Sequence, residues 1–453
     1  MQARLLSWLV ALAMSGGPGS ASGPEPPPAP SADPWSLEAL VARALEENPE
    51  VAEGRWRVRG AEARLDEARA SGLLPRLRLE SASGLAPDAE GDVFNPPQDT
   101  TGFRSLGVFN RTELQFVQPL FTFGYLRSLR EAAAAGVEVE ESSLAGVELD
   151  VALRVKELYH GLLAARDLAA LAERLGEELR THREGVSPDD PSIPLSAPYK
   201  LELALLELER RRREAVDQEA LARRALAWTA GLPEDAPLEL EQEWIEPARS
   251  EVPPRDSLFA LAFRKRPDWR RLRAGIAARQ AVQEATAKAY LPQLFLTGGM
   301  RYAVAPNRTD QRNPFVKDEF NYFNGGVFLG LRQSFEWGLL KAEAARARAD
   351  LNQLRAKERG AVQGIRLEIE RAFADWERAS DGLESAREAR SIARRWLRTA
   401  RDEYELDPGQ VKELVSAFEA FAGTEQGYYG AVYEFNIAVA RLERTAGLTS
   451  SFE

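Results

Sequence analysis

Between positions 339 and 404 apolar residues recur at alternating steps of four and three, and no proline interrupts them. The stripe starts 340, 344, 347, 351, 354 and runs on to 404. It catches Leu, Ala, Ile, Trp or Tyr throughout except at Glu358 and Arg390, with one additional step of four between Ile365 and Ile369. That rhythm predicts a helix burying one seam against a partner, and the extra four is a stutter in a heptad repeat. At 1.5 Å per residue the helix is about 100 Å long, and a counterpart over 126–183 is about 85 Å. Shorter helical patterns at 49–72 and 198–230 together match the length of the first long helix. Those at 267–290 and 409–446 approach the second, so each short pair is predicted to lie end to end along one long helix.

Elsewhere the period changes to two. Leu77 and Leu79 alternate with Arg76, Arg78 and Glu80; Leu114 and Phe116 alternate with Glu113 and Gln115. Leu294, Leu296, Met300 and Tyr302 oppose Thr297 and Arg301, and Val327, Leu329 and Leu331 oppose Gly330 and Arg332. Such one-sided strands suit a membrane barrel with lipid outside and water inside, and equally a surface sheet of a soluble protein. The segments 86–110 and 303–324, rich in Pro, Asn, Asp and Gly, read as long loops at one end of two hairpins, which favours the barrel. About eight strands are the minimum for closure, and open edges are not tolerated in a bilayer, so four strands demand that protomers combine.

The programme is read twice. Asn48-Pro49-Glu50 is answered by Arg266-Pro267-Asp268, Leu74-Pro75 by Leu291-Pro292, Phe123-Gly124 by Trp337-Gly338, and Gly231-Leu232 by Gly447-Leu448. The offsets are 218, 217, 214 and 216 residues, so order and spacing are kept. The expected organisation is a signal peptide (1–22), a proline-rich tether (23–34), a first unit (35–232), a linker (233–256), a second unit (257–448) and a short tail (449–453). Within the units one helix precedes each first strand. Strands fall at 75–85, 111–121, 292–303 and 325–336, and the later helices at 126–183, 198–230, 339–404 and 409–446.

Composition narrows the function. Apolar residues make up 44% and charged residues 28%, a folding composition. The formal charge of −11 argues against nucleic acid, which needs a basic face. Arg4 followed by the apolar run 5–14 and the small residues Ser20, Ala21 and Ser22 reads as a secretory signal. Beyond it no apolar run is long enough for a membrane helix. The absence of cysteine excludes disulfides, thiolate metal sites and a lipidated N-terminus. The two histidines, His160 and His182, sit among Glu and Arg and read as members of solvated helix faces. No nucleophile elbow, phosphate loop or metal cluster is present, so no enzyme activity, cofactor or metal is expected.

The sequence resembles the TolC family of outer-membrane efflux proteins over about 35–448. The resemblance rests on the paired strand-flanking motifs and on the closing Tyr433-Glu434-Phe435-Asn436-Ile437-Ala438-Val439-Ala440-Arg441-Leu442. It implies a mainly α fold with membrane strands: a homotrimer in which each protomer gives four strands to one shared β-barrel and its helices to one α-barrel crossing the periplasm. It places the chain in the cell outer membrane, in contact with outer-membrane lipid. Segment 231–256 would belong to an equatorial belt. A periplasmic adaptor (membrane fusion) protein and an inner-membrane pump are the implied partners, in efflux or type I secretion. The periplasmic mouth would be closed by the turns at 181–198 and 405–410. Aligned through Tyr404, one constriction position is Glu413, whereas the second is Ser416; Glu403 and Asp407 are the other acidic candidates at this gate. The alternative reading is a soluble periplasmic coiled-coil adaptor without a pore, which would not need paired amphipathic hairpins.

Overall fold

In the computed structural model the described residues are 34–450, except 92–93, 95–97, 100–105, 186–194, 234–236, 250, 311–312, 314 and 316. The expected signal peptide, nearly all of the tether, half of the first tip turn and the last three tail residues fall outside them. The elements run α1 (Leu37–Glu47), α2 (Pro49–Leu73), β1 (Arg76–Pro87), β2 (Ala89–Glu90), β3 (Gln98–Asp99) and β4 (Leu106–Phe121). They continue with α3 (Tyr125–Gly185), α4 (Ala197–Thr229), α5 (Arg255–Lys265) and α6 (Pro267–Lys288). The chain closes with β5 (Gln293–Val304), β6 (Tyr322–Arg332), α7 (Trp337–Leu406), a 3₁₀ turn (Pro408–Gln410) and α8 (Val411–Ala446).

Two helices, not one, precede the first strand of each unit. Asn48 ends α1 by donating its backbone N–H to the Ala44 carbonyl, while its side chain accepts from the Glu50 N–H at 2.9 Å to start α2. Pro49 then occupies the first helical position, where its missing N–H costs nothing. Arg266-Pro267 makes the same break between α5 and α6. Pro75 holds Leu74 extended (φ −105°, ψ 141°), so α2 passes directly into β1. The Gly231-Leu232 and Gly447-Leu448 pairs are helix stops. Gly231 (φ 67°) and Gly447 (φ 86°) adopt the left-handed conformation, and Leu232 and Leu448 donate to carbonyls five residues back.

β1, β4, β5 and β6 form one antiparallel sheet in that order. Its register aligns Leu77, Phe116, Gly298 and Val327 across the four strands, and Leu79, Leu114, Met300 and Gly325 on the next rung. The apolar sets therefore share one face. The first hairpin is longer than expected: pairing continues to Pro87 opposite Leu106, and the loop beyond carries the short β2–β3 pair. β6 is displaced toward the loop, running Tyr322–Arg332 rather than 325–336. The Gln333 amide leaves the ladder to donate to the Tyr290 carbonyl at 3.2 Å, beyond the end of α6.

The helices make a layer four elements wide. Near the sheet α2 packs on the first half of α3, with Gly72 beside Leu126, Gly54 beside Leu144 and Glu50 paired with Arg154. α6 runs along the other side of that half, from Lys288 at Ser128 to Pro267 at Gly146, and also contacts α7 through Arg279 and Asp350. Farther out α4 replaces α2 and α8 replaces α6. Leu171, Leu175 and Leu179 of α3 meet Leu201 and Leu208 of α4 and Leu414 and Phe418 of α8 in one core. Ten residues of α7 are buried, and all but Phe373 lie on the 340–404 stripe. Among the described residues no helix is long and apolar enough to cross a membrane.

Candidate functional site

The sheet has two chemically distinct faces. One presents Leu77, Leu79, Phe323, Val327, Leu329 and Leu331 to the exterior, each about two-thirds exposed. On the same face of the first hairpin Ser81, Ser83, Asn110 and Thr112 satisfy one another, with Asn110 Nδ2 donating to both serine hydroxyls at 3.2 and 2.9 Å. The other face carries the charges. Arg78 pairs with Glu80 at 2.5 Å, and Glu113 sits between Arg111 (3.8 Å) and Arg301 (3.6 Å). β1 and β6 each have one unpaired edge. At the helix-proximal end Phe121, Phe123, Phe335 and Trp337 form exposed aromatic contacts, with Phe121 and Phe123 edge to face at 4.7 Å and Phe335 and Trp337 at 6.0 Å.

At the opposite pole α7 turns into α8. Asp407 organises the turn: its carboxylate accepts from the Gly409 N–H at 2.9 Å and from Gln410 Nε2 at 3.4 Å. Its backbone N–H donates to the Glu403 carbonyl, and the Glu403 side chain is exposed. Glu413, on the first turn of α8, accepts from the Trp396 indole N–H at 2.9 Å, and Ser416 is half-buried one turn further on. The four candidate gate residues thus lie on one helical hairpin. Asp407 and Glu413 are tied to their own hairpin, and Glu403 projects outward. His182 of α3 rests edge-on against Tyr404 and Phe418 at 5.4 and 6.0 Å, linking the two hairpins of the tip; burial lowers its pKa.

Between sheet and tip the segment expected to form a belt meets a buried polar network that the sequence did not reveal. Residues 237–249 form a strap across α3, α4 and α8, with Leu238, Leu240 and Ile245 sunk in the largest core cluster. The strap is held by the Ile245 N–H on Asp167 Oδ2 (2.8 Å) and the Ala248 N–H on Asn436 Oδ1 (2.8 Å). Arg223 also donates to the Leu238 carbonyl at 2.8 Å. Trp35 bridges to Leu240, bringing the N-terminal segment onto it. Asn436 Nδ2 reaches both the Glu246 carbonyl (2.9 Å) and His160 Nδ1 (3.2 Å). His160 is therefore not on a solvated face but buried at 7% exposure, and desolvation, followed by the charge of Lys156, lowers its pKa to about 4. Lys156 itself pairs with Glu443 at 2.5 Å; burial nevertheless raises the Glu443 pKa, and burial raises that of Asp167.

Arg390, which breaks the apolar stripe of α7, has a partner. It donates to Glu425 Oε1 at 2.8 Å, and its guanidinium lies 4.2 Å from the Tyr428 ring centre; Arg394 shares the same carboxylate oxygen. The sequence signal was the break itself, since a cation on a buried seam requires an acid on the facing helix. Among the described residues no group of His, Asp and Glu side chains has the geometry of a metal centre.

The profile of the family described as outer membrane efflux protein matches residues 40–182 and 258–448. The two matched segments leave out α4 and the strap between them. No curated protein sequence matches. Among solved structures, the chain is similar to the MtrE outer membrane channel of Neisseria gonorrhoeae in its open state, at 19% identity and a TM-score of 0.73 over 91% of this chain and 89% of that one. It is similar to the CmeC outer membrane channel of Campylobacter jejuni at 16% identity and a TM-score of 0.72, over 91% and 85% respectively. It is also similar to CusC, in crystal structures concerned with folding and transmembrane channel formation, at 18% identity and a TM-score of 0.73 over 91% and 92%. At these identities the likeness is one of fold.

Proposed function

The chain belongs to the outer membrane efflux protein family, and from that premise we propose that three copies assemble into one passive duct through the outer membrane and periplasm. The observation that carries this reading is the four-stranded sheet with one apolar and one charged face and two unpaired edges. Such a sheet is stable in lipid only when its edges are joined to those of other copies, with the apolar face outward. The helix layer has matching free margins: α4 exposes Tyr199, Leu203 and Leu206 at helical spacing, and α7 exposes Ile392 and Trp396. Three copies supply twelve strands, enough to enclose a water-filled lumen.

An inner-membrane pump and a periplasmic adaptor would feed the duct at its tip. There Glu403, Asp407 and Glu413, with Ser416, form the proposed periplasmic gate, whose carboxylates favour cations. Glu413→Ala should raise conductance or relieve cation block in planar bilayers; the same current in both proteins would remove Glu413 from the constriction. The duct itself is tested on protein extracted from outer-membrane fractions. A trimer by light scattering with ion conductance in planar bilayers is expected. A non-conducting monomer would overturn the reading in favour of a pore-less adaptor.

A further inference from the structure

We infer that the helix-proximal end of the shared barrel is a cationic ring that, beyond the acidic tip, favours the passage of organic anions over cations. This rests on the shared-barrel reading above and adds a substrate class to it. The strands of the main sheet hold five arginines and two glutamates, all on the charged face, in a chain whose overall balance is 70 acids to 59 bases. Both glutamates are already engaged, Glu80 by Arg78 and Glu113 by Arg111 and Arg301. Among the described residues no carboxylate pairs with Arg76 or Arg332; the Arg332 guanidinium lies 4.9 Å from the Phe295 ring centre.

Position makes the surplus matter. Arg76 opens β1 directly after α2, and Arg332 closes β6 shortly before α7, so both stand at the helix-proximal end of the sheet. β1 and β6 run in opposite directions and are the two free edges. Joining copies therefore sets β6 of one antiparallel to β1 of the next. Each seam gathers Arg332 from one copy with Arg76 and Arg78 from its neighbour. Twelve strands spaced about 4.8 Å apart close at a radius of roughly 10 Å, and arginine heads pointing inward leave less than a Debye length of about 8 Å to the axis. A low-dielectric wall focuses the field of such a ring. Carboxylated or phosphorylated small molecules leaving the helical barrel would be drawn through it, and cations slowed. Bidentate hydrogen bonding by arginine also suits these oxyanions better than a bare point charge would.

The full-length protein is reconstituted in planar bilayers under a KCl gradient and compared with an Arg76→Gln/Arg78→Gln/Arg332→Gln variant. The acidic tip also contributes to the reversal potential of the unaltered channel, so the difference between the two proteins is the readout. A change of one kT in lumen potential alters the chloride-to-potassium permeability ratio about sevenfold. The variant should lose anion preference by a comparable factor, and citrate should reduce potassium current through the unaltered channel more than through the variant. The corresponding triple Arg→Lys variant should retain the ratio, since the charge remains. Should the triple glutamine variant fail to insert, Arg76→Gln alone is used and should give a smaller shift of the same sign. Equal ratios and equal citrate effects would overturn the cationic ring while leaving the duct intact. Failure of the unaltered protein to conduct would instead defeat the shared barrel.

Discussion

Glu425 is almost inaccessible at 1% exposure, and its carboxylate answers two arginines from the facing helix. Removing one partner of a buried pair leaves a charge without compensation, at a cost of about 3 kcal/mol or more; the partial exposure of Arg390 moderates it. Glu425→Gln is therefore expected to destabilise the protein by about 2 kcal/mol, read as a lower denaturation midpoint, whereas Glu425→Leu with Arg390→Met recovers most of the loss. An unchanged midpoint in Glu425→Gln would mean that the pair contributes nothing. His160 gives a pH signature. Its Nδ1 accepts from Asn436, which requires the neutral ring, and its folded pKa of about 4 lies below the ordinary 6.5. As pH falls from 6.5 towards 4 the unfolded chain takes a proton that the folded one refuses, so stability is lost over that window, by about 3 kcal/mol at most. Asp167 and Glu443, whose folded pKa values are raised, act in the opposite sense: they bind protons sooner in the fold and offset part of the loss at the acid end. His160→Gln should flatten the fall between pH 6.5 and 4 when stability is followed against pH. A parallel profile in the variant would exclude His160 as its source.

At the scale of elements, the two faces of the sheet make opposite demands on the same substitution. An arginine on a lipid-facing strand position near the bilayer midplane costs about 2–4 kcal/mol, whereas the lumen tolerates it. Leu329→Arg should sharply reduce the amount of trimer recovered from membranes, and Gln115→Arg should leave it nearly unchanged. Equal yields would reverse or abolish the assignment of faces. These faces were legible in the sequence because a period of two sorts Leu77 and Leu79 from Arg76 and Arg78 without any knowledge of partners. The α7 seam was legible for the same reason, since its buried residues keep one helical stripe. The extra break at Asn48 was harder to see because it depends on a cap made by a side chain to a backbone N–H. The belt segment 231–256 was expected from the family resemblance, but its buried polar contacts were not legible. His160 and Asn436 are 276 residues apart, and nothing local distinguishes a buried histidine among charged neighbours from an exposed one. The candidate gate residues Glu403, Asp407 and Glu413 are legible as acids near a turn, but the hydrogen bond from Trp396 to Glu413 depends on how two helices pack.

For the whole molecule, the proposed trimer would depend on helix margins as well as strands. α4 leaves Leu203 and Leu206 exposed, at 67% and 61%. Burying each leucine contributes about 1.5–3 kcal/mol relative to exposure, and a trimer repeats that contribution three times. Leu203→Glu with Leu206→Glu should shift the protein from trimer to monomer in light scattering while leaving its helical content unchanged. A trimer of full stability would place the contact elsewhere.

The strap and the pairs beneath it also set the order in which the protein can form. Lys156 meets Glu443 across 287 residues, and the strap, besides its bonds to Asp167 and Arg223, is clamped by Asn436, far along the chain. Loops of that length are closed late, and high contact order slows folding. The first unit emerges with its central groove unfilled and must wait, with apolar surface bare, until α8 arrives. The interval between emergence and closure is when aggregation competes most strongly with folding, so the last 40 or so residues decide the fate of the first 230.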